Sequence, residues 1–254
     1  MLKLIYNLLA EPLTKGKNLD DPQMTAIRKK IIQKKKYLNK IYCEWYKMLI
    51  KNIPDNSHYL EIGSGAGFLK EIKPNIITSE LFPLEGVDKV IDAQNMSFNN
   101  KELDGIIMID VFHHILNVEK FFSEAKRCIK PGGEILMIEP WNTRWSRLVY
   151  TKLHHENFDP NSNWTIEKSG GPLSSANGAL PWIVFERDYE IFKKKYPNWK
   201  LDIVKLFMPF SYLLSGGVSI KALTPGWSYS GIRYFEELLN QKKWAMFAFI
   251  KIQL

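Results

Sequence analysis

Cysteine is scarce in this chain. Cys43 and Cys128 are the only two in 254 residues. Neither has partners at metal-ligand spacing, which excludes a zinc module or disulfide framework and predicts two packed thiols in a reducing compartment. Long apolar runs are also missing. No stretch approaches the ~18 residues that a membrane-spanning helix requires. Met1 to Ala10 has one Lys, an Asn inside its short apolar run and Glu11-Pro12 directly after it, unlike a cleavable leader. There is no internal repeat, and the lysine run near residue 35 is the sole low-complexity tract. These absences predict a cytoplasmic protein.

What remains is enough for a substantial core: 45% hydrophobic residues against 24% charged. The net charge of +8 is unevenly placed. Residues 1–51 hold twelve Lys or Arg and four Asp or Glu, so this segment alone accounts for +8. Asp21-Pro22 has the form of a helix start. Ile27, Ile31, Leu38, Ile41, Trp45 and Leu49 then fall on one face of a single long helix ending near Pro54. The other face carries Arg28, Lys29, Lys30, Lys34, Lys35, Lys36 and Lys40. Such a helix suits an anionic membrane at its inner face, nucleic acid, or plain solvent.

The organising stretch is Tyr59 to Leu69. It predicts a buried strand, a glycine turn and a helix, with Gly63, Gly65 and Gly67 letting backbone approach a ligand. Glu61 is a carboxylate within an apolar strand end, which calls for a cationic or hydrogen-bonding partner. Phe68 stands where the dinucleotide fingerprint G-x-G-x-x-G requires glycine. Further strands are expected over 75–81, 89–91, 104–110 and 134–139, with a helix over 117–129 and a Pro131-Gly132-Gly133 turn. This alternation predicts a parallel sheet of right-handed βαβ units, with ligands beyond the carboxyl ends of the strands. Those ends carry Glu61, Glu80, Asp92, Asp110 and Glu139. Two more strands are expected over 201–207 and 244–252.

The pattern Glu61-x-Gly63-x-Gly65-x-Gly67 resembles motif I of the class I S-adenosylmethionine (SAM) methyltransferases. From Tyr59 to Pro140 the chain is similar to the type-11 branch of that family, through Glu80, Asp92-Ala93, Asp110-Val111-Phe112-His113-His114-Ile115 and Lys130-Pro131-Gly132-Gly133. Glu replaces the commoner Asp at 61 and 80. The resemblance implies an α/β Rossmann-like sheet of seven strands, mostly parallel with an antiparallel last strand. It also implies SAM as cofactor and S-adenosylhomocysteine as product. The motif I residues, with Ser64, would flank the methionine part. Glu80, beside Leu81, would hold the ribose, and Asp92-Ala93 would meet adenine. Asp110 and Val111 would lie at the cofactor's reacting end. The flanks at 28–46, 171–188 and 213–227 are similar to uncharacterised bacterial methyltransferases linked with surface polysaccharide or glycolipid synthesis.

This predicts a basic helical extension over 1–54 and a methyltransferase domain over 55–254, with cap insertions at about 141–200 and 208–240. The acceptor would be a small molecule, sugar or glycolipid, methylated at oxygen. Trp182 and Trp227 are expected to offer stacking faces in the cap. His113 is the expected general base, with His114, Asp110 and Glu139 as further candidates. On a helix, adjacent histidines would point about 100° apart. His154-His155-Glu156 lacks the i, i+4 ligand spacing, so no metal is expected there. A nucleic-acid (RNA) methyltransferase is the first alternative, but Asn-Pro-Pro-Tyr and Pro-Cys motifs are absent. A SAM-binding regulatory module without turnover is the second.

Overall fold

The computed structural model describes residues 9–14, 23–154, 156–167, 171 and 175–254. The expected Asp21-Pro22 helix start, His155, and most of the 168–174 loop lie outside these. Seven strands form one sheet: β1 Tyr59–Ile62, β2 Ile77–Glu80, β3 Lys89–Val90, β4 Leu103–Ile109, β5 Ile129–Pro140, β6 Lys200–Phe207 and β7 Phe247–Gln253. Their order is β3-β2-β1-β4-β5-β7-β6. The pairs from β3 through β5 are parallel, and β7 runs antiparallel to both β5 and β6. The chain winds outward from β1 to β3 and then returns to β4 on the other side of β1. That reversal opens the crevice where ligands of such sheets bind.

The central strands β1 and β4 are buried on both faces, whereas β3 and β6 at the sheet edges are largely exposed, and successive side chains of a strand point to opposite sides. Ile106 and Met108 of β4 enter one apolar cluster with Ile135 and Met137 of β5. Ile107, Leu136 and Ile138 enter the other. The helix Val118–Cys128 covers the first face with Val118, Phe121, Phe122, Ala125 and Cys128. Asn117 caps it, its side chain accepting from the Lys120 amide at 3.0 Å. The helix Lys36–Ile50 covers the second face with Leu38, Ile41, Trp45 and Leu49.

The structure differs from the sequence reading in three local respects. β5 begins at Ile129 and runs through Pro131-Gly132-Gly133, which becomes a bulge opposite Leu103 and Gly105 instead of a separate turn. His113 and His114 sit in a single tight turn, Phe112–His114, and the following helix starts later, at Val118. The single long N-terminal helix is two helices, Gln23–Lys34 and Lys36–Ile50, interrupted at Lys35.

At the break the Lys35 backbone is extended, with φ −80° and ψ 95°, and its side chain is 8% exposed. Its ammonium donates to the carbonyls of Gly217, at 2.9 Å, and Ile220. It also pairs with Glu11 at 3.3 Å. A lysine counted on the solvated face thus pins three separate segments together. Lys29 pairs with Glu71, and Lys40 donates to the Gly226 carbonyl. Lys30, Lys34, Lys36 and Lys40 are the exposed residues of the basic face.

Replacing Lys35 with Met keeps the stem but leaves two carbonyls and Glu11 without their cation. Urea denaturation is expected to show a loss of roughly 2–3 kcal/mol, the scale of hydrogen bonds to a charged group. Lys34→Met, one residue away and exposed, is expected to leave stability unchanged. Equal effects of the two substitutions would remove the pin.

Candidate active site

The glycine turn is shaped by what lies against it. Gly63 has φ +71°, and a Cβ there would run into the Val111 side chain from the β4 exit. A Cβ on Gly65 would meet the Glu80 carboxylate and Thr25. The turn is therefore packed between the ends of β4 and β2. Glu80 stays within hydrogen-bond reach, its Oε1 accepting from the Gly65 amide at 2.8 Å and its Oε2 from Leu81 at 3.2 Å. Ser64 faces away from the cavity. Its hydroxyl donates to the Glu61 carbonyl at 3.0 Å and accepts from the Ser79 amide at 2.9 Å, fastening β1 to β2.

Beyond the strand ends lies a cavity of about 720 Å³. It brings together most of the residues predicted from sequence: Glu61, Gly63, Glu80, Leu81, Asp92, Ala93, Asp110, Val111, His113 and His114 all border it. Gly65 and Gly67 support the turn from behind and do not line it. Neither Trp182 nor Trp227 reaches it. Trp182 packs against both core clusters, and Trp227 is 83% exposed on the surface. The aromatic walls come instead from Tyr42, Tyr150, Tyr212, Phe158 and Phe247. These residues carried no motif in the sequence, since each is spaced like an ordinary core aromatic.

The cavity holds more acid than base. Glu61 is 3% exposed, and its Oε2 is buried without a hydrogen-bond partner among the described residues. Burial pushes its carboxyl up to about 8, with nearby Glu80 adding to the shift. Burial also raises Glu80, against the pull of the Gly65 and Leu81 amides. Asp110 has φ 55°, a strained position for a residue with a side chain. Burial pushes its carboxyl up to about 7, despite the neighbouring His113. Asp92 is exposed at the rim, and its Oδ1 accepts from the Gln94 amide at 2.8 Å.

His113 is not a free imidazole. Its Nδ1 bonds Glu139 Oε2 at 2.7 Å, and its Nε2 faces Glu156 Oε2 at 3.4 Å. Burial alone would lower it, but the two carboxylates outweigh burial and hold it well above its ordinary value. The expectation of an unprotonated base at His113 therefore meets an imidazolium between two acids. Burial lowers His114 to about 4, with His113 adding to the shift. The rings lie 4.3 Å apart, and both turn toward Glu156 because the tight turn does not hold them at helical spacing. Glu156 was legible only as part of His154-His155-Glu156, and its place in the site comes from the fold. The surrounding histidines hold its carboxyl well below the usual range in spite of burial.

A family model described as a methyltransferase domain matches residues 35–179. No curated protein matches the chain by sequence. Among solved structures, geranyl diphosphate C-methyltransferase from Streptomyces coelicolor is similar, with 10% identity and a TM-score of 0.50. That match covers 89% of this chain and 81% of the other, which was solved with Mg²⁺, geranyl diphosphate and S-adenosylhomocysteine. A SAM-dependent methyltransferase from Mesorhizobium loti matches with 12% identity, a TM-score of 0.49, and coverage of 82% and 96%. One from Thermotoga maritima matches with 14% identity, a TM-score of 0.49, and coverage of 88% and 98%.

The Glu61 proton has a measurable consequence. Its carboxyl titrates near 8 in the folded protein and near 4.5 when unfolded. Between those values the folded state holds a proton that the unfolded chain has released, so Glu61 makes stability fall as pH rises. The slope is at most about 1.4 kcal/mol per pH unit. Glu61→Gln should remove it. The stability difference between variant and wild type in urea should therefore grow from pH 5 to pH 8 in the variant's favour. A flat difference would contradict a buried carboxyl that keeps its proton in the folded state.

Proposed function

Because the chain belongs to the SAM-dependent methyltransferases, we propose that it methylates a hydroxyl oxygen of a sugar, glycolipid or similar small acceptor. SAM supplies an electrophilic methyl group on a positively charged sulfur. The observation that carries the assignment of the donor end is the unpartnered Glu61 Oε2 beneath the glycine turn. A buried carboxylate oxygen is stable only with a hydrogen-bond donor or cation against it, and a ligand bearing an ammonium group answers that need. The surplus of Glu61, Glu80 and Asp110 carboxylates around one cavity favours a cationic ligand for the same reason.

Each residue then has a role. Glu80, held by two amides, has oxygens directed at the cavity for the ribose hydroxyls. Asp92, Ala93 and Leu81 border the adenine end, and Gly63, Ser64, Gly65 and Gly67 keep the turn close to the methionine part. Val111 closes the space between the turn and the β4 exit. Asp110, His113 and His114 face the reacting end. With the His113 imidazole held at both nitrogens, proton removal falls to Asp110, whose carboxylate makes no hydrogen bond among the described residues. The acceptor oxygen becomes acidic as it bonds to carbon, so a carboxylate at that wall suffices as base. Holding the hydroxyl in line with the methyl supplies much of the remaining rate.

The acceptor class rests on the cavity walls. Tyr42, Tyr150, Tyr212 and Phe158 suit the apolar faces of a sugar, and the histidines and acids suit its hydroxyls. The domain reading is a basic N-terminal extension over 1–54 and a catalytic domain over 55–254, with the segments at about 141–200 and 208–240 shaping the acceptor side. No helix among the described residues is long and apolar enough to cross a membrane. A reversible contact of Lys30, Lys34 and Lys36 with an anionic membrane would bring the enzyme to a glycolipid, at about 1 kcal/mol per charge.

Two measurements test this reading. In calorimetry, Glu80→Ala should weaken SAM and S-adenosylhomocysteine by ~30–150-fold, or about 2–3 kcal/mol. Unchanged affinity would take Glu80 away from the ribose. Asp110→Asn should slow methyl transfer into a sugar- or lipid-containing cell fraction by about 10²–10⁴ while the donor still binds. Full activity in that variant would leave alignment alone as the source of catalysis.

A further inference from the structure

We propose that His113, His114 and Glu156 form a site for one divalent transition-metal ion on the acceptor side of the cavity. The inference deepens the proposed function and rests on it only for what the ion would face. The site itself stands on the geometry of three side chains. Two come from the Phe112–His114 turn, and the third comes from the segment after the helix Arg144–Leu153.

Each imidazole is fixed at one nitrogen and directed by the other. His113 Nδ1 is bonded to Glu139 Oε2 at 2.7 Å. Glu139 is fully buried, and its Oε1 already accepts from the Val111 and Phe112 amides at 2.9 and 2.7 Å. His114 Nδ1 lies 3.2 Å from the Ser175 carbonyl, which can only accept, so Nδ1 carries a proton and donates there. Both Nε2 atoms turn toward the Glu156 carboxylate. A histidine whose outer nitrogen is held by a carboxylate or a carbonyl is the usual supported metal ligand.

The spacing fits an ion between the three groups. His113 Nε2 is 3.4 Å from Glu156 Oε2, and His114 Nε2 is 3.9 Å from Glu156 Oε1. All the donor atoms lie within 4.8 Å of one another. Ligands about 2.1 Å from a tetrahedral ion stand roughly 3.4 Å apart. A charge-assisted hydrogen bond would instead close to about 2.7–2.9 Å, as the His113–Glu139 contact does. Two imidazoles and one carboxylate select zinc, iron or a similar ion over magnesium or calcium. His154 does not join through Nδ1, since that nitrogen accepts from the Glu156 amide at 3.3 Å. Among the described residues three protein donors meet here, which would leave a coordination position toward the cavity, where the acceptor oxygen would lie.

The competing arrangement uses the same atoms without a metal, with a proton on His113 Nε2 paired to Glu156. Cobalt and zinc titrations separate the two. Chelator-stripped protein should bind one Co²⁺ with a visible absorption band, and Zn²⁺ should displace it at micromolar concentration or below. His114→Ala and Glu156→Ala should each weaken Zn²⁺ by about 100-fold or more, and Glu139→Gln by about 10–100-fold. S-adenosylhomocysteine calorimetry on the same samples reports an intact fold, and His114→Gln and Glu156→Gln stand in if an alanine variant unfolds. Protein that binds S-adenosylhomocysteine normally but takes up no Co²⁺ or Zn²⁺ overturns the site. So does metal binding unaffected by the His114 and Glu156 variants. Metal binding without S-adenosylhomocysteine binding would count against the proposed function and not against the metal site.

Discussion

The Glu139 carboxylate is the contact on which the site depends. Strand β5 delivers it fully buried beside the β4 exit, where its two oxygens take the Val111 and Phe112 amides and the His113 ring. Those amides belong to a turn with no ladder partners of its own, so one side chain does the work that a neighbouring strand does elsewhere. The same contact orients His113 and holds Val111 over the glycine turn, which in turn keeps Glu80 in place. A buried charge with three donors is well satisfied. Loss of Glu139 would free the turn and the histidine together.

Much of the fold could be read before the structure. Alternating strands and helices, the glycine turn and the acids at strand ends rest on local patterns, and local patterns survive folding. Glu61, Glu80 and Asp110 were identifiable because a carboxylate ending an apolar strand has few structural uses. What stayed hidden depends on contacts between distant residues. Lys35 has the same type and spacing as its lysine neighbours, and only the carbonyls of Gly217 and Ile220, about 180 residues away, distinguish it. Glu156 joins the site by the folding of a loop that no periodicity marks. His113 looked like a base because its two carboxylate partners lie 26 and 43 positions further along the chain. The tryptophans misled for the opposite reason: composition reveals abundance but not which way a ring faces.

The site is also a store of unfavourable electrostatics. Glu61, Glu80 and Asp110 have raised carboxyl pKa values, because burial is not matched by enough positive charge. A protein rarely keeps such groups without a use, and perturbed acids cluster where ligands bind.

Strand β7 lies between β5 and β6, although it follows both in the chain. During synthesis β6 emerges with no neighbour to pair with, and it remains a bare edge until residues 247–253 appear. The exposed flank of β5 waits for the same segment. Unpaired edges of this kind recruit other chains. For as long as that interval lasts in the cell, the nascent enzyme is a client for whatever shields open sheets, and a ribosome that pauses before residue 247 prolongs the exposure.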